Sequence, residues 1–186
     1  MTDAIHIFFQ NGCQYYVAGR YAAFAALNPV AGNLMHHAIE HLLKGGLSET
    51  KTLSELKKLM HNLPSIWETF KAQANDPALA RFDDVISGLH DFEDIRYPES
   101  VLKNGMQGSI NITKAGVAMT SGSSVLPMPP VYALCLEEID ELVAAIFTAA
   151  SRNPKAYIGS FFKPEAKEFV IKDNAVGAIA EAWNRP

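Results

Sequence analysis

The amino-acid sequence predicts an all-α fold, an up-and-down bundle of about five main helices with a small β-hairpin inserted at residues 108–120. Apolar residues recur at three and four positions through most of the chain, which is the period of one helix face. The breaks between these runs fall on residues that start or stop helices, and only one stretch switches to strict alternation. With 186 residues, 48% of them hydrophobic and 19% charged, there is material for one core, so residues 1–186 are expected to form a single domain.

Phe9, Cys13, Tyr16, Phe24 and Leu27 mark one face of a first helix that runs to about Leu27, and Arg20 falls inside that apolar stripe. Gly12, Gly19, Ala23 and Ala26 line a neighbouring face with little side-chain bulk, where a second helix can approach closely. Asn28 and Pro29 supply a cap and a preset first residue for that second helix, Leu34, Met35, Ala38 and Leu42 form its buried stripe, and Gly45-Gly46 is expected to end it. Thr52 and Glu55 have capping-box spacing, and Leu56, Leu59, Leu63, Ile66 and Phe70 continue one apolar face. Pro64 lies within this third run, where it removes a backbone donor, so a kink or break is expected near Leu63.

Asp76-Pro77 repeats the start signal, and Leu79, Phe82, Ile86 and Leu89 carry a fourth helix that should stop before Pro98. Between 106 and 130 the texture changes to a hairpin and loop insertion. Ile110 and Ile112 alternate with Ser109, Asn111 and Thr113, and Lys114-Ala115-Gly116 can turn into Val117-Ala118-Met119. Leu136, Ile139, Leu142, Val143 and Ile146 predict a fifth helix from Val131 to Ser151. Past Asn153 the pattern weakens, although Val176, Ile179, Ala180 and Trp183 suit a short terminal helix.

A formal charge of −4 provides no chain-wide positive field, so general nucleic-acid binding is not expected. Cys13 and Cys135 stand far apart in apolar patterns, without metal-ligand spacing, and read as reduced core thiols. No apolar run approaches the roughly 20 residues that span a bilayer, and Asp3 and His6 precede the first apolar patch in place of a basic leader. A cytoplasmic protein with no cofactor and no membrane contact is expected.

Several polar residues are candidates for chemistry. His37-Ala38-Ile39-Glu40-His41 matches the H-x-x-E-H pattern of inverted zinc proteases, in which two imidazoles one turn apart hold a metal and the carboxylate activates water. A third ligand would have to come from elsewhere, with Glu137, Glu138 and Asp140 as candidates. The competing reading is a polar helix face on which Glu40 and Lys44 form an i, i+4 pair. Arg20 needs a partner if it is buried, and Glu40 on the next helix is the natural one; an open Arg20 would instead hold a carboxylate or phosphate. His61, Arg96 and Tyr97 are further candidates, since a His is an acid–base group, an Arg can hold an anion and a Tyr can stack or donate, unless His61 simply caps or packs near Pro64 and Arg96 satisfies helix-end carbonyls.

An ordered set of fragments adds to this. Tyr15-Tyr16 and Arg20 are followed by His37-Ala38-Ile39-Glu40 with Leu43-Lys44, then His61-Asn62-Leu63, and finally Arg96-Tyr97-Pro98. Over residues 1–98 this order resembles the HEPN domain, named for higher eukaryotes and prokaryotes nucleotide-binding. The resemblance implies a bundle of four or five helices, frequently a homodimer, in proteins that include ribonucleases, toxin partners and binding modules. Its ribonuclease members carry an Arg followed closely by a His. Here no His follows Arg96, and Arg81 precedes His90 by too wide a gap. The expectation is therefore a noncatalytic HEPN-like protein that binds a small anionic, nucleotide-like ligand or a partner protein, with Arg20, Glu40, His61, Arg96 and Tyr97 at the site. The alternatives are a metal-dependent hydrolase built on His37, His41 and Glu40, and a ribonuclease relative with a degenerate site.

Overall fold

The computed structural model describes residues 2–92, 95, 99, 102–103, 107–114, 131–158, 163–174 and 176–184. It is mostly helical. Helices α1 (Thr2–Phe24), α2 (Asn28–Leu47), α3 (Leu53–Lys58) and α4 (Leu63–Ala74) lead through a 3₁₀ turn (Pro77–Phe82) into α5 (Asp83–Asp91). Strands β1 (Gln107–Asn111) and β2 (Val131–Cys135) precede α6 (Leu136–Ala149), α7 (Lys155–Ile158), α8 (Pro164–Ile171) and α9 (Gly177–Asn184). None of the described helices is long and apolar enough to cross a membrane.

Glycines set the central packing. A Cβ on Gly12 would stand 2.8 Å from Leu42 Cδ2, and one on Gly19 would stand 2.9 Å from Met35 Sδ. Gly45 likewise meets the Phe9 ring, so low residue numbers in α1 face high ones in α2 and the two helices form an antiparallel hairpin. The small face expected of the first helix is thus used as predicted. Gly45-Gly46 does not end α2, however. The helix continues to Leu47 and closes on Ser48, whose N–H donates to the Lys44 and Gly45 carbonyls. Both glycines serve close packing instead, since a Cβ on Gly46 would stand 2.6 Å from Phe70 Cε2.

α6 runs back along α1, with the Phe9 and Phe147 rings 5.1 Å apart and Asp140 against Tyr16 and Arg20. Phe9, Cys13, Tyr16, Met35, Leu42, Ile66, Trp67, Leu142 and Ile146 lie in one continuous buried cluster. Burial pushes the Cys13 thiol far above its ordinary range, and both cysteines are free and buried.

The break expected near Leu63 is present. α3 ends at Lys58, Met60 takes a left-handed backbone (φ 50°), and Asn62 caps α4 by accepting from Ser65 N at 2.9 Å. Pro64 sits in the first turn of α4, where its missing N–H has no helical partner to lose. At the first turn of α2 the cap differs from expectation. Asn28 is already helical, its side chain donates to Gly108 O at 3.2 Å, and Leu27 precedes the helix without a side-chain cap. Leu27 is about half exposed, so the buried stripe of α1 stops short of it.

Two strand expectations change. Val131–Cys135 is a strand, so the fifth main helix begins only at Leu136. The β-branched Val131 and aromatic Tyr132 follow Pro129-Pro130 and favour a pleated chain, and Leu136 opens the first clear helical period. β1 pairs with β2 in parallel, from Gln107 opposite Val131 to Asn111 opposite Cys135. This differs from the antiparallel hairpin expected at 108–120, whose second arm at 115–120 lies outside the described residues.

Candidate functional site

Five of the six histidines gather around α2, and the carboxylate of Glu40 faces three of them, His36, His37 and His61. Glu40 is only 4% exposed. Lys44, one turn on, donates from Nζ to Glu40 Oε1 at 2.7 Å and to Met60 O at 2.5 Å, which ties the α3–α4 turn to α2. That turn delivers His61. Its Nδ1 stands 3.0 Å from Glu40 Oε2 and 3.1 Å from Oε1, while the side chain remains 57% exposed. His37 Nδ1 and His36 Nε2 face the same Oε2 at 3.8 and 3.9 Å. His36 Nδ1 lies 3.1 Å from Leu89 O, and its ring packs near His90 of α5.

The electrostatics follow from this arrangement. Burial by itself would raise the Glu40 carboxyl, but His37, Lys44 and His61 favour its charged form and together hold it well below the ordinary carboxylate range. A single ionised carboxylate is therefore enclosed by one cation, Lys44, and by three imidazoles. Lys44 cancels its charge inside the helix layer, and of the three imidazoles that face Glu40 the two nearest to solvent are His61 and His37. His61 also directly precedes the N-cap of α4, whose dipole places positive potential there.

Arg20 is brought to a different place. It is fully buried, and its guanidinium pairs with Asp140 of α6 rather than with Glu40. Nε donates to Phe169 O at 2.5 Å and Nη2 to Lys172 O, so Arg20 also closes the carbonyl end of α8. Tyr16 donates its hydroxyl to Asp140 at 2.6 Å, and Asn174 donates to that hydroxyl at 3.1 Å. The correction has a simple cause. Gly19 packs on Met35 and Gly12 on Leu42, so Arg20 and Glu40 stand at different heights on the antiparallel pair, and Glu40 faces the α3–α4 turn while Arg20 faces α6. Burial raises the Asp140 carboxyl against the opposing pull of Arg20 and Tyr16, as expected for a charge sealed away from water. Arg96 and Tyr97 lie outside the described residues.

The paired-imidazole metal arrangement is not assembled. The Tyr15 ring packs 5.4 Å from both His37 and His41, stacked on the latter, and Glu40 turns away toward Lys44 and His61. Burial lowers the His41 imidazole below its ordinary value. Of the candidate third ligands, Asp140 is taken by Arg20 and Tyr16, and Glu137 accepts the Lys114 backbone N–H. Among the described residues, no group of three or more His, Cys, Asp or Glu is placed to hold a metal ion. Elsewhere, a groove of about 540 Å³ between α1, α2 and α8 is lined by Val17, Tyr21, Leu27, Val30, Leu34 and Phe169. That lining is almost wholly apolar, and it sets the Glu165 carboxylate against an anion with no cationic side chain among the described lining residues to balance it.

His36, His90 and the Met60 turn escaped the sequence reading. His36 had a usable signal, since it stands four residues before Glu40, but His90 and Met60 join only through tertiary packing. Comparison of the chain with protein-family models, curated proteins and solved structures gives no match.

Proposed function

We propose that this chain is a noncatalytic, HEPN-like helical protein that binds a small anion at the Glu40 cluster, with His61 and His37 as the groups that meet the ligand. The observation that carries this reading is the histidine set around one buried, neutralised carboxylate, with His61 held by Glu40 yet open to solvent. An isolated surface imidazole is mobile and binds anions weakly. Fixing one ring through Nδ1 leaves its outer nitrogen aimed at solvent at little further entropic cost. Two fragments on which the family resemblance rests, His37 to Glu40 and His61 to Leu63, meet in this cluster, which supports the HEPN-like reading. The missing Arg-to-His motif supports the noncatalytic one.

Titration with inorganic phosphate, followed by proton NMR of the imidazole ring signals, tests it. Signals of His61 and His37 are expected to move together and saturate. His6, whose Nδ1 bonds to the Tyr157 hydroxyl at 3.0 Å far along α1, serves as the control and should stay in place. Equal drift of all the ring signals, or none, would remove the proposal. So would purified protein that degrades RNA and loses that activity on Arg96→Ala.

A further inference from the structure

We infer that the Glu40 cluster takes up a proton together with its anion, and that His61 is the residue that receives it; this rests on the anion-binding reading above. The inference follows from which nitrogen can carry hydrogen. An ionised carboxylate only accepts, and both Glu40 oxygens face His61 Nδ1 at 3.0 and 3.1 Å, so Nδ1 is the nitrogen that bears the hydrogen. In the neutral ring the outer nitrogen, Nε2, then presents a lone pair. A lone pair repels an oxyanion. Only the imidazolium offers an Nε2–H donor, so binding at His61 requires one proton from solvent on Nε2.

Glu40 is built to keep this tautomer. Lys44 occupies Oε1 and bonds to Met60 O, the residue beside His61, so carboxylate and turn are held together. The charged and titratable groups that face His61 are Glu40, Lys44, His37 and His41 of α2, with Lys57 and Lys58 preceding it at the end of α3. Behind them, Tyr15 of α1 packs on His37 and His41, and His90 of α5 packs on His36. His36 obeys the same rule, since a carbonyl accepts from its Nδ1 and its Nε2 faces Glu40, but it is buried beyond a ligand's reach. The proton therefore enters at the one imidazole of the set that is more than half exposed.

Sulfate is the discriminating probe, because it stays fully ionised across the neutral range and cannot bring the proton itself. Calorimetric titration of the whole chain in two buffers of unequal ionisation heat is expected to show uptake approaching one proton per sulfate. Affinity should fall about tenfold per pH unit on the alkaline side of imidazole titration. His61→Gln supplies an amide donor that does not titrate, so it should bind sulfate more weakly and with a shallower pH profile than the parent between about pH 6 and 8. The exposed turn position means that this variant is expected to fold, which thermal unfolding checks. Sulfate binding without proton uptake, or an unchanged pH slope in His61→Gln, overturns the inference and leaves anion binding standing. Absence of sulfate binding across that range overturns the anion reading and this inference with it.

Discussion

At the scale of single residues, two buried charges serve different ends. Arg20 joins Asp140, the Phe169 carbonyl of α8 and that of its C-cap Lys172 with no exposure at all, so deleting its charge strands Asp140 in the interior. Arg20→Met is expected to cost about 3–5 kcal/mol in urea unfolding, and adding Asp140→Leu should recover much of that loss, because a matched apolar pair leaves no uncompensated ion. An Arg20→Met protein as stable as the parent would show that the pair is not closed. Glu40 responds to pH in a defined direction. Its carboxyl is lowered in the folded state, so the stability it contributes is fully present above the unfolded value of 4.5 and is lost as pH falls below that toward the folded value. Glu40→Gln should therefore be less stable than the parent at neutral pH, by about 3 kcal/mol, since Lys44 loses its buried counter-ion. The gap should narrow on acidification. Thermal unfolding of both proteins across the acid range measures it, and a constant gap would count against an ionised Glu40.

At the scale of elements, the helices were legible because apolar period and capping chemistry are local. Thr52 and Glu55 do form a capping box, and the Pro64 break falls where its missing N–H predicts. Glycine was misread at one site, since Gly45-Gly46 looks the same whether it ends a helix or admits a neighbour's ring, and only tertiary packing decides. Gly32 makes the same point more sharply. A Cβ there would stand 2.0 Å from Phe92 Cδ1, and Phe92 is wholly buried. Gly32→Ala should thus destabilise the protein despite alanine's helix propensity, because overpacking of about 1–3 kcal/mol or more exceeds a gain of about 1 kcal/mol. Denaturant midpoints of the variant and parent decide the sign. The site was half legible for a related reason. Glu40, His37 and Lys44 share a helix face that spacing reveals, whereas the arrival of His61 depends on a left-handed Met60 and on Lys44 reaching the Met60 carbonyl.

At the scale of the whole molecule, the two polar centres are attached to different parts of one core. The Glu40 cluster joins α2 to the α3–α4 turn, and the Arg20 network joins α1 to α6 and α8. α8 has little core of its own beyond the buried Val170, so its seat depends on the guanidinium that closes its last carbonyls. Val170→Ala and Arg20→Met should therefore be coupled although the residues lie far apart in sequence. Each loosens α8, and once it is loosened the second change has less left to lose. A double-mutant cycle read by urea unfolding is expected to give an interaction energy of about 1 kcal/mol, with the double variant more stable than the sum of single losses predicts. His61→Gln combined with Arg20→Met should instead be additive within about 0.5 kcal/mol, as suits sites with no shared partner. Strict additivity of the first pair would mean that α8 is held by contacts other than Arg20, and coupling of the second would mean that the Glu40 cluster and the buried network move as one unit.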